Sequence, residues 1–110
     1  MRVNESYKYE LVQDLRLVQG KAISGLNDSS HGVYLLSSQY IMYQGGSYTT
    51  RDVSQDIIRY TQSNIILSGI SEINFEQKTG TPSNTGTIVL TNTIDNSTEV
   101  IDVQSSGTIY

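Results

Sequence analysis

The stretch that decides the fold is Leu11-Val12-Gln13-Asp14-Leu15-Arg16-Leu17-Val18-Gln19-Gly20-Lys21-Ala22-Ile23-Ser24. With Tyr7 before it and Leu26 after it, the apolar residues Tyr7, Leu11, Leu15, Val18, Ala22 and Leu26 recur every three or four positions. That is one face of an α-helix, predicted from Asn4 to about Leu26. Val12 and Ile23 widen the stripe, and Glu10, Gln13, Arg16 and Gln19 fall away from its centre. Asn4 or Ser6 offers a side-chain oxygen for the helix start. Gly25 and Asn27 tolerate positive φ and mark its end. Gly20 sits off the stripe and costs about 1 kcal/mol relative to alanine.

Beyond Leu26 the period shortens. Asn27-Asp28-Ser29-Ser30 is a turn cluster. Gly32-Val33-Tyr34-Leu35-Leu36 and Gln39-Tyr40-Ile41-Met42-Tyr43-Gln44 read as strands, and the short Ser37-Ser38 gap makes them an antiparallel hairpin. Gly45-Gly46-Ser47 is a second turn. In Tyr48–Gln62 the residues Val53, Ile57 and Tyr60 have helical spacing while Asp56–Thr61 also suits a strand, and a loop followed by a strand is the favoured reading. Further strands are expected at Asn64–Leu67, Ile73–Glu76, Thr87–Thr91, Glu99–Val103 and Gly107–Tyr110. Thr79–Gly86 is a loop of turn formers, and Asp95-Asn96-Ser97-Thr98 is a hairpin turn. An amphipathic helix followed only by antiparallel strands predicts an α+β fold, with the N-terminal helix packed on antiparallel β-sheet. The expected organisation is one domain over residues 1–110, with helix in 1–26 and a β-rich head in 27–110.

Composition narrows the function. The 110 residues are 36% hydrophobic and 16% charged, against a usual charged share of about 25%. Seven Lys+Arg stand against eleven Asp+Glu, a formal charge of −4. Broad electrostatic binding of nucleic acid is therefore disfavoured. The chain has no cysteine, which excludes disulfides, thiolate metal sites and cysteine nucleophiles. No run approaches the roughly 20 apolar residues of a membrane span.

Little in the sequence carries chemistry. His31 is the only histidine and lies beside Gly32 in a turn cluster. It reads as a surface or hydrogen-bonding residue, although Asp28 and Ser30 nearby have the residue types of a hydrolase. Asp95 and Glu99 border an oxygen-rich turn that admits Ca²⁺, but the loop lacks the length and spacing of an EF-hand and reads as a hairpin. Gly45-Gly46 and Gly80…Gly86 have no Lys-Ser or Lys-Thr after them and are turns, not phosphate loops. Tyr34, Tyr40, Tyr43, Tyr48 and Tyr60 form a cluster in the first half. It reads as strand packing, with stacking on sugars as the functional alternative. No catalytic, cofactor or metal site is expected, and the enzyme reading is set aside.

The order of features resembles the GspH/FimT-like minor pilins and pseudopilins of type IV pilus and type II secretion machines. The helix, with its Leu15-Arg16 and Ala22-Ile23, is similar to that family's "L…LR.AQ..AI" segment. The strands Gly32–Leu35 and Tyr40–Gln44 are similar to its "gv.f….Y.ly" pair. Ile73–Gly80, Gly86–Leu90 and Val100–Ile109 are similar to its later strands and closing hairpin. The resemblance spans Leu11 to Ile109. It implies a pilin-like fold and a non-enzymatic filament subunit without cofactors. Its implied partners are other pilin or pseudopilin subunits, the assembly platform, and the cytoplasmic membrane through an N-terminal apolar helix. That helix, its basic leader and its peptidase site are missing here, so the resemblance implies a soluble head whose Tyr7–Leu26 is the lower half of a longer helix. The precursor would sit in the cytoplasmic membrane and the product in an extracytoplasmic or cell-surface filament. Candidate contacts are Gln13 and Arg16 on the helix and the loops Gly45–Arg51, with Tyr48 and Arg51, and Thr79–Gly86. Competence pilins of this kind end in an arginine-bearing tail implicated in DNA uptake. Gly107, Thr108, Ile109 and Tyr110 stand at the matching positions, so that role is not carried over. The second reading is a secreted carbohydrate-binding or adhesin module using Tyr43 and Tyr48.

Overall fold

The computed structural model describes residues 3–110, with side chains from Ser6 onward. The helix α1 runs Val3–Ser24. Seven strands follow: β1 His31–Leu35, β2 Gln39–Gln44, β3 Ile57–Tyr60, β4 Ile65–Gly69, β5 Glu72–Phe75, β6 Gly86–Asn92 and β7 Thr98–Val103. The architecture is α+β, with the N-terminal helix packed on antiparallel sheets. There are two sheets, ordered β3-β2-β1-β5 and β4-β6-β7. Every pairing between these strands is antiparallel.

The helix binds the two sheets into one core. Leu11, Leu15, Val18 and Ala22 are buried, as their spacing requires. They meet Val33 and Leu35 from β1, Ile73 and Phe75 from β5, Ile88 and Leu90 from β6, and Ile101 and Val103 from β7, in one cluster. Alternation along β7 puts Ile101 and Val103 inward and leaves Val100 exposed. The sheets also touch at one edge, where the Leu67 amide donates to Ser37 O at 2.9 Å and Thr61 Oγ1 donates to Ile65 O at 3.0 Å.

Several expectations are corrected. The helix is already under way at Val3, so neither Asn4 nor Ser6 caps it, and it ends at Ser24 rather than Leu26. Gly25 adopts φ 69° and breaks it as expected, with Asn27 and Asp28 also left-handed at φ 55° and 54°. Past that break Leu26 no longer shares the helical face and is 44% exposed. Ile23 is 50% exposed, because it reaches sideways over Gly80 instead of into the core. His31 is not in a turn but opens β1. Gly107–Tyr110 is not a strand. Only an isolated bridge joins Ile109 to Val103, because Gly107 turns at φ 93° and its carbonyl is taken by the helix side chain Gln19 at 2.7 Å.

Candidate functional site

Three groupings of polar and aromatic side chains stand out. The first lies on the face of the four-stranded sheet turned away from α1. Opposite pairs in the register place Tyr34 beside Ile41 and Glu72, and Gly32 beside Tyr43 and Asn74. The loop from Gly45 to Asp56 folds back over this face. Tyr48 stacks on Tyr34 at 4.0 Å between ring centroids and meets Tyr43 edge-on at 5.9 Å. The Arg51 guanidinium lies 3.8 Å over the Tyr48 ring, and its Nε donates to both Asp56 oxygens at 3.0 Å. Glu72 Oε2 accepts from the Tyr43 hydroxyl at 2.5 Å and the Tyr48 amide at 2.8 Å. Asn74 Nδ2 donates to Tyr43 Oη at 3.0 Å and to Gly45 O at 2.9 Å.

This arrangement is a satisfied second core. Tyr43 is only 2% exposed. Burial, with the Glu72 hydrogen bond as second cause, holds its phenol protonated well above the ordinary tyrosine range. Tyr43 therefore has no face for a sugar, and Tyr48 spends one ring face on Tyr34 and the other on Arg51. Tyr48 and Arg51 do come together as a pair, and their role within the chain is to pin the loop.

The second grouping surrounds the start of the helix. A cleft of about 390 Å³ is lined by Tyr7, Tyr9, Glu10, Gln13 and Asp14 from α1, and by Tyr40, Arg59, Tyr60 and Thr61 from the sheet and the residue after β3. Asp14 Oδ2 accepts from the Tyr40 hydroxyl at 2.6 Å and from Arg59 Nε at 3.4 Å, which ties the helix to β2 and β3. Burial, followed by this carboxylate, raises the Tyr40 phenol far above its usual range. Gln13 is among the contact candidates that the sequence offers, whereas Glu10, Asp14 and Arg59 carry no local signal. Two of these are one helical turn apart, and the third is 45 residues away from Asp14. Only the folded helix–sheet packing brings them together.

The third grouping sits at the other end of α1. Gln19 Nε2 donates to Gly80 O at 3.0 Å and to Gly107 O at 2.7 Å, so one side chain holds two loops. The exposed Arg16 donates to Ile109 O at 3.2 Å. Gln13 and Arg16 both lie at the surface, as their place off the stripe requires.

Among the described residues the remaining candidates do not come together in one site. His31 is 3% exposed and faces Leu26 O at 3.0 Å through Nε2, a tie between β1 and the segment after the helix. It is a hydrogen-bonding residue as expected, but a buried one. Asp95 Oδ1 accepts from both the amide and the hydroxyl of Ser97, the bonding of an Asx turn. Glu99 lies in β7 opposite Leu90. Among the described residues no three His, Asp or Glu side chains gather as a metal site. Nor is any described helix long and apolar enough to cross a membrane. Comparison with protein-family models, curated proteins and solved structures finds no match.

Proposed function

We propose that this chain is the head of a structural filament subunit of the minor pilin or pseudopilin kind. The observation that carries the reading is the path of α1. Its 22 residues make a rod about 33 Å long, of which one face joins both sheets from Leu11 to Ala22. Burial thins out before Leu11: Tyr7 still packs against the core, and none of the described helix residues ahead of Leu11 is fully buried. The opposite face, through Gln13, Leu17, Gly20 and Ser24, is exposed along its length. A helix that is spine on one side and open on the other suits a subunit whose upstream apolar segment anchors in the cytoplasmic membrane and then packs in a filament core. The pilin-like order of helix and strands in the sequence supports the same reading.

In this proposal the head faces outward and has no catalytic duty. Gln13 and Arg16, with the loops Gly45–Arg51 and Thr79–Gly86, meet neighbouring subunits or the assembly platform. Nucleic acid is not a partner, in keeping with the charge of −4. The test is fractionation of the source cell with an antibody raised against residues 3–110. The proposal expects the protein in the cytoplasmic membrane and in sheared surface filaments or envelope assemblies. It also expects only the membrane pool to remain when the assembly ATPase is deleted. Recovery in the cytosol alone would refute it.

A further inference from the structure

The cleft at the start of α1 has a composition that points to a ligand, and this does not depend on the filament reading. Its volume of about 390 Å³ lies within the 300–1,000 Å³ of small-molecule sites. Tyr7, Tyr9 and Tyr60 supply amphipathic rings, and Glu10, Asp14 and Arg59 supply the charges. Glu10 and Asp14 are four residues apart and so project from the same side of the helix. Asp14 is held in place by Tyr40 and Arg59 through Oδ2 alone, and no other side chain among the described residues bonds to Oδ1. Among the described residues Arg59 bonds through Nε alone, and its side chain is 52% exposed, so its two terminal amino groups face a ligand in the cleft.

The mixture of signs disfavours a ligand that carries one strong charge. A strongly cationic molecule would meet Arg59, and a strongly anionic one would meet Glu10 and Asp14. The carboxylates accept and the guanidinium donates. A ligand whose groups do both, while showing an apolar face to tyrosine rings, satisfies all three. A neutral pyranose has those properties: each hydroxyl donates and accepts, and one ring face carries C–H groups. We infer that the cleft between the start of α1 and β3 is a binding site for a neutral mono- or disaccharide. This site is separate from Tyr43 and Tyr48, which are engaged inside the fold.

The test is an NMR titration of the isotope-labelled chain with glucose, galactose, mannose, N-acetylglucosamine, lactose, maltose and cellobiose, and with choline and acetate as charged comparisons. At least one of these saccharides is expected to bind in the millimolar range or tighter and to shift the amides of Tyr7–Asp14 and β3. Tyr9→Ala and Glu10→Gln alter exposed side chains, keep the rest of the spectrum, and are expected to weaken that binding by about tenfold or more. Three results would overturn the inference: no shift of these amides by any saccharide on the panel, unchanged affinity in both variants, or binding of choline or acetate in place of the sugars.

Discussion

The same substitution, glycine to alanine, is expected to act in opposite directions at Gly32 and Gly20. Gly32 is buried in β1, between β2 and β5. A Cβ there would lie 2.5 Å from Tyr43 Oη, 2.6 Å from Tyr43 Cζ and 2.7 Å from the Ile73 carbonyl oxygen. Neither neighbour yields cheaply. The Tyr43 hydroxyl is bonded to Glu72 and Asn74, and the Ile73 carbonyl belongs to the adjacent strand β5. Overpacking of this kind costs about 1–3 kcal/mol, and breaking the buried hydroxyl's bonds adds about 1–3 kcal/mol. Reduced freedom of the unfolded chain returns about 0.4–1 kcal/mol. The net for Gly32→Ala is a loss of about 3 kcal/mol, or a melting temperature lower by about 12 °C. Gly20 sits inside the helix, and a methyl group added to it would have nothing within 4 Å. Gly20→Ala should raise stability by about 1 kcal/mol and the melting temperature by about 4 °C. Thermal melts followed by far-ultraviolet circular dichroism measure both. A Gly32→Ala variant melting within about 3 °C of the parent would refute the close-packing argument.

Three further outcomes are expected. Gln19→Ala should cost about 1–2 kcal/mol by freeing the Gly80 and Gly107 carbonyls, and Gln19→Glu should cost more at neutral pH, because a carboxylate faces two acceptors; chemical denaturation distinguishes them. Arg51→Ala removes the Asp56 pair and the contact with Tyr48, so amide hydrogen exchange should rise across Gly46–Gln55 more than in β6 and β7. Burial raises the Tyr40 and Tyr43 phenols above the usual value near 10, so the folded chain keeps protons that the unfolded chain releases. That contribution to stability is fully present below about pH 10 and is lost as pH rises beyond it, and Tyr40→Phe with Tyr43→Phe should flatten the decline seen in alkaline denaturation curves.

The helix and most strands are legible in the sequence because their burial is periodic. Leu11, Leu15, Val18 and Ala22 announce one face, and Gln39–Gln44 is recovered with its bounds intact. Structure departs from local pattern where a long-range contact overrides it. Gly107–Tyr110 has strand-like residues, but Gln19 captures the Gly107 carbonyl from 88 positions away. His31 sits among turn formers, yet pairing with Gln44 and Phe75 makes it the first residue of a buried strand. The division into two sheets is likewise invisible along the chain, since β4 follows β3 directly but pairs with β6. The tyrosine cluster was readable as composition only. Which rings are spent inside the fold and which line the cleft is decided by strand register and by the return of the Gly45–Asp56 loop.

The central claim, that this head belongs to a filament subunit carried on a longer helix, makes one direct demand on the complete gene product. Expressed with and without a prepilin peptidase, it should change in mass by the loss of a short basic leader only when the peptidase is present. An unchanged mass in the presence of an active peptidase would contradict the claim.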